Sequence, residues 1–113
     1  MSPAQHRELA EGRWWEMPMA EQLGNIGSEV SRAIRWTGRN PDTAQSALYR
    51  ALDLLDLTLA DPRLRDAPFR LREIARAREV VVDFFAGTNE YNSTGPSLQQ
   101  YFDAYAVAAR RNV

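Results

Sequence analysis

A chain of 113 residues is the size of one domain, and its 44% apolar and 26% charged residues are ordinary for a protein with its own core. The net charge of −1 argues against the strongly basic surface with which many nucleic-acid-binding proteins attract phosphate. No apolar run approaches the roughly 20 residues that cross a bilayer, and without cysteine there are no disulfides. We therefore expect a cytoplasmic protein without a membrane partner.

Apolar residues at helical spacing predict four helices, which are separated by proline and glycine. The first helix is predicted over residues 19–37. The second is predicted to begin at Asn40, an N-cap residue, with Pro41 in the first helical position, and to end before Pro62.

The third helix is predicted to begin near Asp66, with Pro68 in its first turn, and to end at Gly87. The fourth is predicted to begin within residues 94–97. The side chains expected to face inward from the third helix are Leu71, Ile74, Val81, Val82 and Phe85.

Two of the connections between these helices are short, and no segment alternates with the period of a strand. The sequence therefore predicts an all-α fold, an up-and-down antiparallel four-helix bundle over residues 17–113 with an N-terminal extension over residues 1–16. The longest connection, residues 87–96, is polar, and either a functional loop or a plain spacer fits it.

Arg78 is a charged residue in an unexpected place, because a helical wheel puts it among the apolar residues of the third helix. An unpaired buried charge costs several kcal/mol, so we expect a carboxylate partner or a side chain that reaches solvent. Glu29 is the first choice of partner, with Asp53 and Glu90 as alternatives. The pair either fixes the helix register or forms part of a site for a small anion.

Small residues form a stripe on the first helix, and two of them are glycines, each costing about 0.5–1 kcal/mol relative to alanine. Such a stripe indicates close approach of another helix, in the same chain or in a second copy. Trp36 and Leu57 lie on polar faces, where they suit contact with a partner; the chain's own N-terminal segment covering Trp36 is an equal alternative. The candidate interface residues are Gly24, Gly27, Ser31, Trp36 and Leu57.

Three arginines of the third helix, Arg70, Arg72 and Arg76, are candidate contacts for nucleic-acid phosphates. Acidic residues interleave with them, so the face is mixed in charge and nucleic-acid binding is not favoured. Ion pairs within the helix explain the same residues without a ligand. The acidic residues Asp53 and Asp56 of the second helix are interpreted as solvated surface, because the Glu-x-x-His pairs of di-metal bundles are missing.

Several segments resemble a family of small bacterial helical proteins of unknown function: residues Glu21–Val30, Arg32–Trp36, Ala51–Thr58 and Asn89–Tyr91. The likeness covers most of the chain from Trp14 onward and implies no particular activity. In size and helix order the chain is also similar to the four-helix-bundle proteins of ribosomal-RNA intervening sequences and to retroelement accessory variability determinants. The latter likeness implies oligomers that bind nucleic acid through a basic surface, from which this near-neutral chain departs.

No pattern in the chain points to catalysis, to a metal or to a cofactor. The single histidine is His6, and no nucleophile has a base beside it. We therefore predict a non-enzymatic protein without a cofactor that acts through self-association, as a homo-oligomer, or through contact with a protein partner. The alternatives are a nucleic-acid accessory protein and a binder of a small anion or ligand around Arg78 and Glu29.

Overall fold

The computed structural model describes residues 12–111, and within this range the chain is helical without any strand. The predicted all-α class is confirmed for that range. A 3-10 helix, Pro62–Asp66, and a short helical segment over residues 12–16 accompany four longer helices. These are α1 (Met19–Trp36), α2 (Pro41–Leu59), α3 (Pro68–Ala86) and α4 (Gly95–Arg111).

The start of α2 has the predicted capping residue, whereas the start of α3 does not. The side chain of Asn40 accepts a hydrogen bond from the backbone N–H of Thr43 at 3.2 Å, as expected of the predicted N-cap. Asp66 belongs to the end of the 3-10 helix, so its predicted role as the cap of α3 is wrong. This 3-10 helix was not predicted from the sequence, although it begins after Asp61 in an Asp-Pro pair typical of a helix start.

The helices are unequally spaced around the core. The backbone of α1 approaches both α2 and α4 closely, whereas α3 approaches α2 and the 3-10 helix at fewer places. The backbones of α3 and α4 are further than 8 Å apart along almost all of their length. The gap left between α3 and α4 is the main irregularity of the fold.

Small residues explain the close approach of α1 and α4. A Cβ atom added to Gly27 would lie only 2.5 Å from the Cβ of Phe102, which is closer than side chains tolerate. Glycine is therefore required where α4 crosses α1. The stripe of small residues predicted that another helix approaches α1 closely. At Gly27 that helix is α4 of the same chain.

The buried face of α3 differs from the predicted one. Ile74, Ala77 and Val81 are its buried residues, whereas Leu71 is 36% exposed. The predicted inward position of Leu71 is therefore wrong. The small Ala77 lies at the centre of the buried face, and the apolar pattern did not predict it as an inward residue.

The connection between α3 and α4 has a fixed structure. The carboxylate of Asp83 accepts hydrogen bonds from the backbone N–H groups of Glu90, at 2.8 Å, and Tyr91, at 3.1 Å. Asn89 and Asn92 adopt positive φ angles of 56° and 53°, a conformation that asparagine tolerates better than most residues. The loop thus holds Tyr91 beside the end of α3.

None of the helices described here has a stretch long and apolar enough to cross a membrane.

Candidate functional site

Arg78 and Glu29 do not form the predicted pair. Arg78 donates through Nε to Oδ1 of Asp56 at 2.7 Å and through Nη2 to Oδ2 at 3.3 Å, on the partly exposed edge between α2 and α3. Glu29 instead accepts from Arg50 at 3.2 Å and from Arg32 at 3.5 Å. The expected Arg78–Glu29 pair is therefore wrong, because the choice among acidic partners depends on how the helices are rotated against one another.

Two of the predicted interface residues have partners within the chain. Gly27 is buried at the contact with Phe102 of α4. The backbone carbonyl of Leu57 accepts a hydrogen bond of 2.7 Å from Nε1 of Trp15, so the segment preceding α1 covers that part of α2.

The other three interface candidates remain at the surface. Gly24 and Ser31 are partly buried and line a shallow polar groove between α1 and α4. Trp36 is partly buried near the C-terminal end of α1. Trp14, before α1, contacts Gln22, about 21 Å from Trp36 along the helix. The predicted covering of Trp36 by the N-terminal segment falls mainly on residues 1–11, which lie outside the described residues.

The three arginines predicted as phosphate contacts are all exposed on α3, but they are not alike. Arg76 lies near Tyr91, with its guanidinium carbon 6.0 Å from the centre of the ring, a cation–π distance. Arg70 and Arg72 lie nearer the N-terminal end of α3. Within residues 12–111, no group of three or more acidic, histidine or cysteine side chains has the arrangement of a metal site.

A group of hydrogen-bonded side chains, here called the polar network, joins the segment before α1 to α1, to the end of α2 and to the start of the 3-10 helix; all its members except Arg63 are buried. Its members are Trp14, Gln22, Thr58, Asp61 and Arg63. Nε1 of Trp14 donates to the hydroxyl of Thr58 at 2.9 Å, and that hydroxyl donates to Oε1 of Gln22 at 2.9 Å. Nε2 of Gln22 donates to the carbonyl of Trp14 at 3.0 Å and to Asp61 at 3.2 Å.

Asp61 carries the negative charge of the polar network. Nη2 of Arg63 donates to its Oδ2 at 2.6 Å and forms an ion pair with it. Burial alone would raise the pKa of Asp61. The hydrogen bonds from the Arg63 side chain and backbone and from Gln22, together with the positive charge of Arg63, outweigh burial and hold that pKa below its ordinary value. The negative charge therefore stays in place at neutral pH.

The polar network is internally complete. Among the described residues, no buried side-chain nitrogen or oxygen lacks a hydrogen-bond partner. Such a network fixes the geometry of the helices it joins, and its buried members have no free hydrogen-bonding group for a ligand. The sequence signal that was missed is the presence of Gln22 and Thr58 on apolar stripes, four residues before Ile26 and three after Leu55.

A second region is open, and it lies in the gap between α3 and α4. This α3–α4 cleft has a volume of about 370 Å³. Two helical stripes face each other across it, one from each helix, and the connecting loop contributes two further residues. Its lining consists of Glu73, Arg76, Ala77, Val80, Tyr91, Ser93, Ser97, Leu98, Tyr101 and Phe102.

The α3–α4 cleft has an apolar part and a polar rim. Ala77, Leu98 and Phe102 are buried in the core behind it. Arg76 and Tyr91 are exposed and belong to the rim. An apolar surface with a few polar groups at its edge is the usual composition of a small-ligand site.

A chain of hydroxyl groups lies at one side of the cleft. The hydroxyl of Tyr105 donates to Glu73, and the hydroxyl oxygens of Tyr101 and Tyr105 are 3.3 Å apart. Burial, together with the smaller effect of the negative charge of Glu73, raises the pKa of Tyr101 to about 12. Tyr101 therefore keeps its proton at neutral pH and presents a neutral hydroxyl.

Arg76 is the cation of the cleft. Unlike Arg63 and Arg78, it forms no ion pair among the described residues. Within the described part of the chain, no carboxylate lies within 4.0 Å of its guanidinium nitrogens. The neighbouring Glu79 accepts instead from the hydroxyl of Tyr91 at 3.2 Å, a bond that raises the pKa of this tyrosine. The guanidinium of Arg76 thus lies at the edge of an apolar cleft with an aromatic ring beside it.

Arg76 and the 87–96 connection were both candidates from the sequence, but separately and for different reasons. The sequence did not show that Arg76 and this connection lie beside Tyr101 and Glu73. The available signal was the spacing of Glu73, Arg76, Ala77 and Val80, which form one stripe on α3.

Comparison of the chain with known protein families, with curated proteins and with solved structures finds no match. The resemblances inferred from the sequence therefore stay predictions.

Proposed function

We propose that this chain is a non-enzymatic binding protein and that it holds a small molecule in the α3–α4 cleft. The observation that supports this most strongly is the cleft itself, about 370 Å³ in volume, where an apolar surface meets Arg76, Tyr91 and the hydroxyl of Tyr101. Sites for small molecules commonly measure about 300–1,000 Å³ and combine these features.

The ionisable groups of the cleft favour binding over catalysis. A general acid or base works best when its pKa lies near the working pH. The pKa of Tyr101 is raised to about 12, far above neutrality. Glu73 already accepts a hydrogen bond from Tyr105. These groups suit the orientation of a ligand through hydrogen bonds.

The arrangement of helices that we propose also accounts for the cleft. In an up-and-down antiparallel bundle, successive helices are neighbours and the fourth helix closes the ring against the first. Close approach of α1 to both α2 and α4 agrees with this order, and so does contact of α2 with α3. On the remaining side of the ring, the backbones of α3 and α4 are further apart, and the cleft lies between them.

A thermal-shift screen of neutral, acidic and basic compounds containing one aromatic ring tests the proposal. Val80→Phe places a larger side chain in the cleft lining, whereas Val107→Phe enlarges an exposed residue of α4 outside it. We expect some compounds to raise the Tm of the unmodified protein and of Val107→Phe but not of Val80→Phe. Stabilisation that persists in Val80→Phe, or is absent throughout the panel, would reject the cleft as the binding site.

A second candidate function is self-association, and it rests on Phe69. This side chain is 75% exposed at the start of α3, where a large apolar surface in water is unfavourable. Exposed Asp66 and Arg70 lie close to it in the sequence, and opposite charges of this kind can pair across a contact between two copies related by a twofold axis. We propose a second copy of the chain as the partner of this surface.

Light scattering coupled to size-exclusion chromatography tests the second candidate. We expect a dimer for the unmodified protein, a monomer for Phe69→Ser, and a dimer for Tyr49→Ser, which alters an aromatic residue that is 56% exposed on α2. A monomer at every concentration, or a dimer that survives Phe69→Ser, would remove this candidate.

A further inference from the structure

The chemistry of the α3–α4 cleft narrows the class of ligand, and this step rests on the proposed function. We propose that the ligand is a small amphipathic carboxylic acid, with an apolar body against the cleft lining and its carboxylate on the guanidinium of Arg76.

The size of the cleft limits the apolar body. An apolar cavity of about 150 Å³ is enough to hold a benzene ring. The volume of about 370 Å³ therefore accommodates one ring or a short branched chain with a polar group attached. Buried Leu98 and Phe102 supply the apolar contact, and the partly buried Val80 adds to it from α3.

The charge of the ligand follows from which polar groups already have partners. Glu73 is engaged by Tyr105, and Glu79 by Tyr91. The guanidinium of Arg76 has no carboxylate within 4.0 Å among the described residues. Adding an anion there completes a charge-assisted pair, whereas adding a cation places like charges together.

A carboxylate matches this position better than a bare halide or a neutral amide. A guanidinium binds the two oxygens of a carboxylate in one plane, which fixes the direction of the ligand as well as its charge. Tyr105 donates its proton to Glu73, so the Tyr101 hydroxyl donates its own to Tyr105. The oxygen of Tyr101, which lines the same cleft, can still accept a hydrogen bond from a polar substituent on the ligand.

The Tyr91 ring beside Arg76 supports the same assignment. The ring lies at a cation–π distance from the guanidinium and is held by the loop through its backbone N–H bond to Asp83. A guanidinium next to an aromatic ring loses side-chain freedom before the ligand arrives, so less ordering remains to oppose binding.

The test compares two probes of the same shape, hydrocinnamate and its neutral amide, with acetate as a carboxylate that has no apolar body. Dissociation constants are measured by calorimetry for the unmodified full chain, for Arg76→Gln and for Arg72→Gln. Arg72 is a matched control, since it is an exposed arginine of the same helix that does not line the cleft.

We expect the acid to bind the unmodified protein about tenfold more tightly than the amide, the size of effect that one charge-assisted contact gives. That preference should fall to about one in Arg76→Gln and persist in Arg72→Gln. Acetate should bind at least tenfold more weakly than hydrocinnamate, because it buries almost no apolar surface.

The outcomes separate this inference from the proposed function. Equal binding of acid and amide, lost in Val80→Phe, would keep the cleft as a binding site and overturn the carboxylate assignment. A preference for the acid that survives Arg76→Gln would also overturn it. If neither probe binds and no other compound with one ring binds in the cleft, both proposals fall.

Discussion

The polar network and the α3–α4 cleft contain similar residue types, yet the structure uses them in opposite ways. Each has an arginine, an acidic residue and an aromatic residue that donates a hydrogen bond. In the polar network Arg63 holds Asp61 at 2.6 Å, and Gln22, at 0% exposure, completes the surrounding bonds. In the cleft, Glu73 accepts from Tyr105, and Glu79, outside the lining, accepts from Tyr91. Among the described residues, no carboxylate lies within 4.0 Å of the Arg76 guanidinium.

This contrast distinguishes groups that stabilise the fold from groups that bind a ligand in a helical protein of this size. A buried polar group whose partners all come from the same chain stabilises one geometry, and losing one member leaves the others unpaired. A charged group at the edge of an apolar cleft contributes little to folding and remains available to a ligand. Mutations in the two regions should therefore change different measured quantities.

Removal of Gln22 should have the largest effect on stability. Gln22→Leu leaves Thr58 without its acceptor and takes a hydrogen bond from Asp61, so we expect a loss of about 3–5 kcal/mol in the free energy of unfolding. Urea unfolding measures it. The matched change at the cleft, Arg76→Gln, should alter stability by less than about 0.5 kcal/mol.

Gln45→Leu is the control for this first prediction, because Gln45 is an exposed glutamine on α2 whose side chain bonds only to exposed Tyr49 in the described structure. It should change stability by less than about 0.5 kcal/mol. Equal effects at Gln22 and Gln45 would contradict a structural role for the polar network.

Asp61 should make the stability of the polar network depend on pH. The pKa of Asp61 is lower in the folded protein than the ordinary value of 3.8. Its contribution to the free energy of unfolding is therefore complete above about pH 4, and it is lost as the pH falls through the pKa of the folded state. Asp61→Asn should cost about 2 kcal/mol at pH 7, the scale of a charge-assisted bond, and weaken the acid-induced loss. Unfolding curves from pH 7 to pH 2 measure both.

The control for the pH prediction is Asp53→Asn, which changes an exposed carboxylate on α2. Its unfolding free energy should follow the same pH curve as that of the unmodified protein. A curve for Asp61→Asn that coincides with both would show that this carboxylate does not contribute to acid sensitivity.

Gly27→Ala tests the closely packed side of the molecule, opposite in character to the open cleft. The new methyl group would lie 2.5 Å from the Cβ of Phe102. Overpacking costs about 1–3 kcal/mol, partly offset by the higher helix propensity of alanine, so we expect a net loss of about 1–2 kcal/mol by urea unfolding.

Gly12→Ala serves as the control for Gly27, since a Cβ at Gly12 would meet nothing within 4 Å. It should leave stability unchanged or slightly higher. Tolerance of Gly27→Ala would mean that α1 and α4 are not in close contact at this point.

The smallest effect is expected at Arg78, which is paired but partly exposed. A double-mutant cycle between Arg78→Gln and Asp56→Asn should give a coupling of about 0.5 kcal/mol, the usual value for an exposed pair. The corresponding cycle with Glu29→Gln should give none. Coupling with Glu29 instead would restore the pair predicted from the sequence.

The helices could be predicted from the sequence because their signals are local. Asn40 and Pro41 mark the start of α2, and Gly87 ends α3, through bonds between residues close in the chain. The 3-10 helix was missed although its Asp-Pro start is also local, since five residues are too short to show apolar periodicity.

The contacts between elements could not be predicted, because they depend on the rotation and height of one helix relative to another. The apolar pattern identified Arg78 as a residue that needs a partner, but the choice of Asp56 over Glu29 required the packing of α2 against α3. The polar network joins Trp14 to Thr58, 44 residues apart, and no local pattern connects them. The cleft likewise exists only because α3 and α4 stay apart.

Chemical-shift mapping of the amide groups during titration with hydrocinnamate is the most direct test that the cleft, and not the polar network, is the binding region. We predict saturable shifts confined to residues 73–80 and 91–102, with the amides of Gln22 and Thr58 unmoved. Shifts centred on the polar network, or on the surface around Phe69, would contradict the assignment of binding to the α3–α4 cleft.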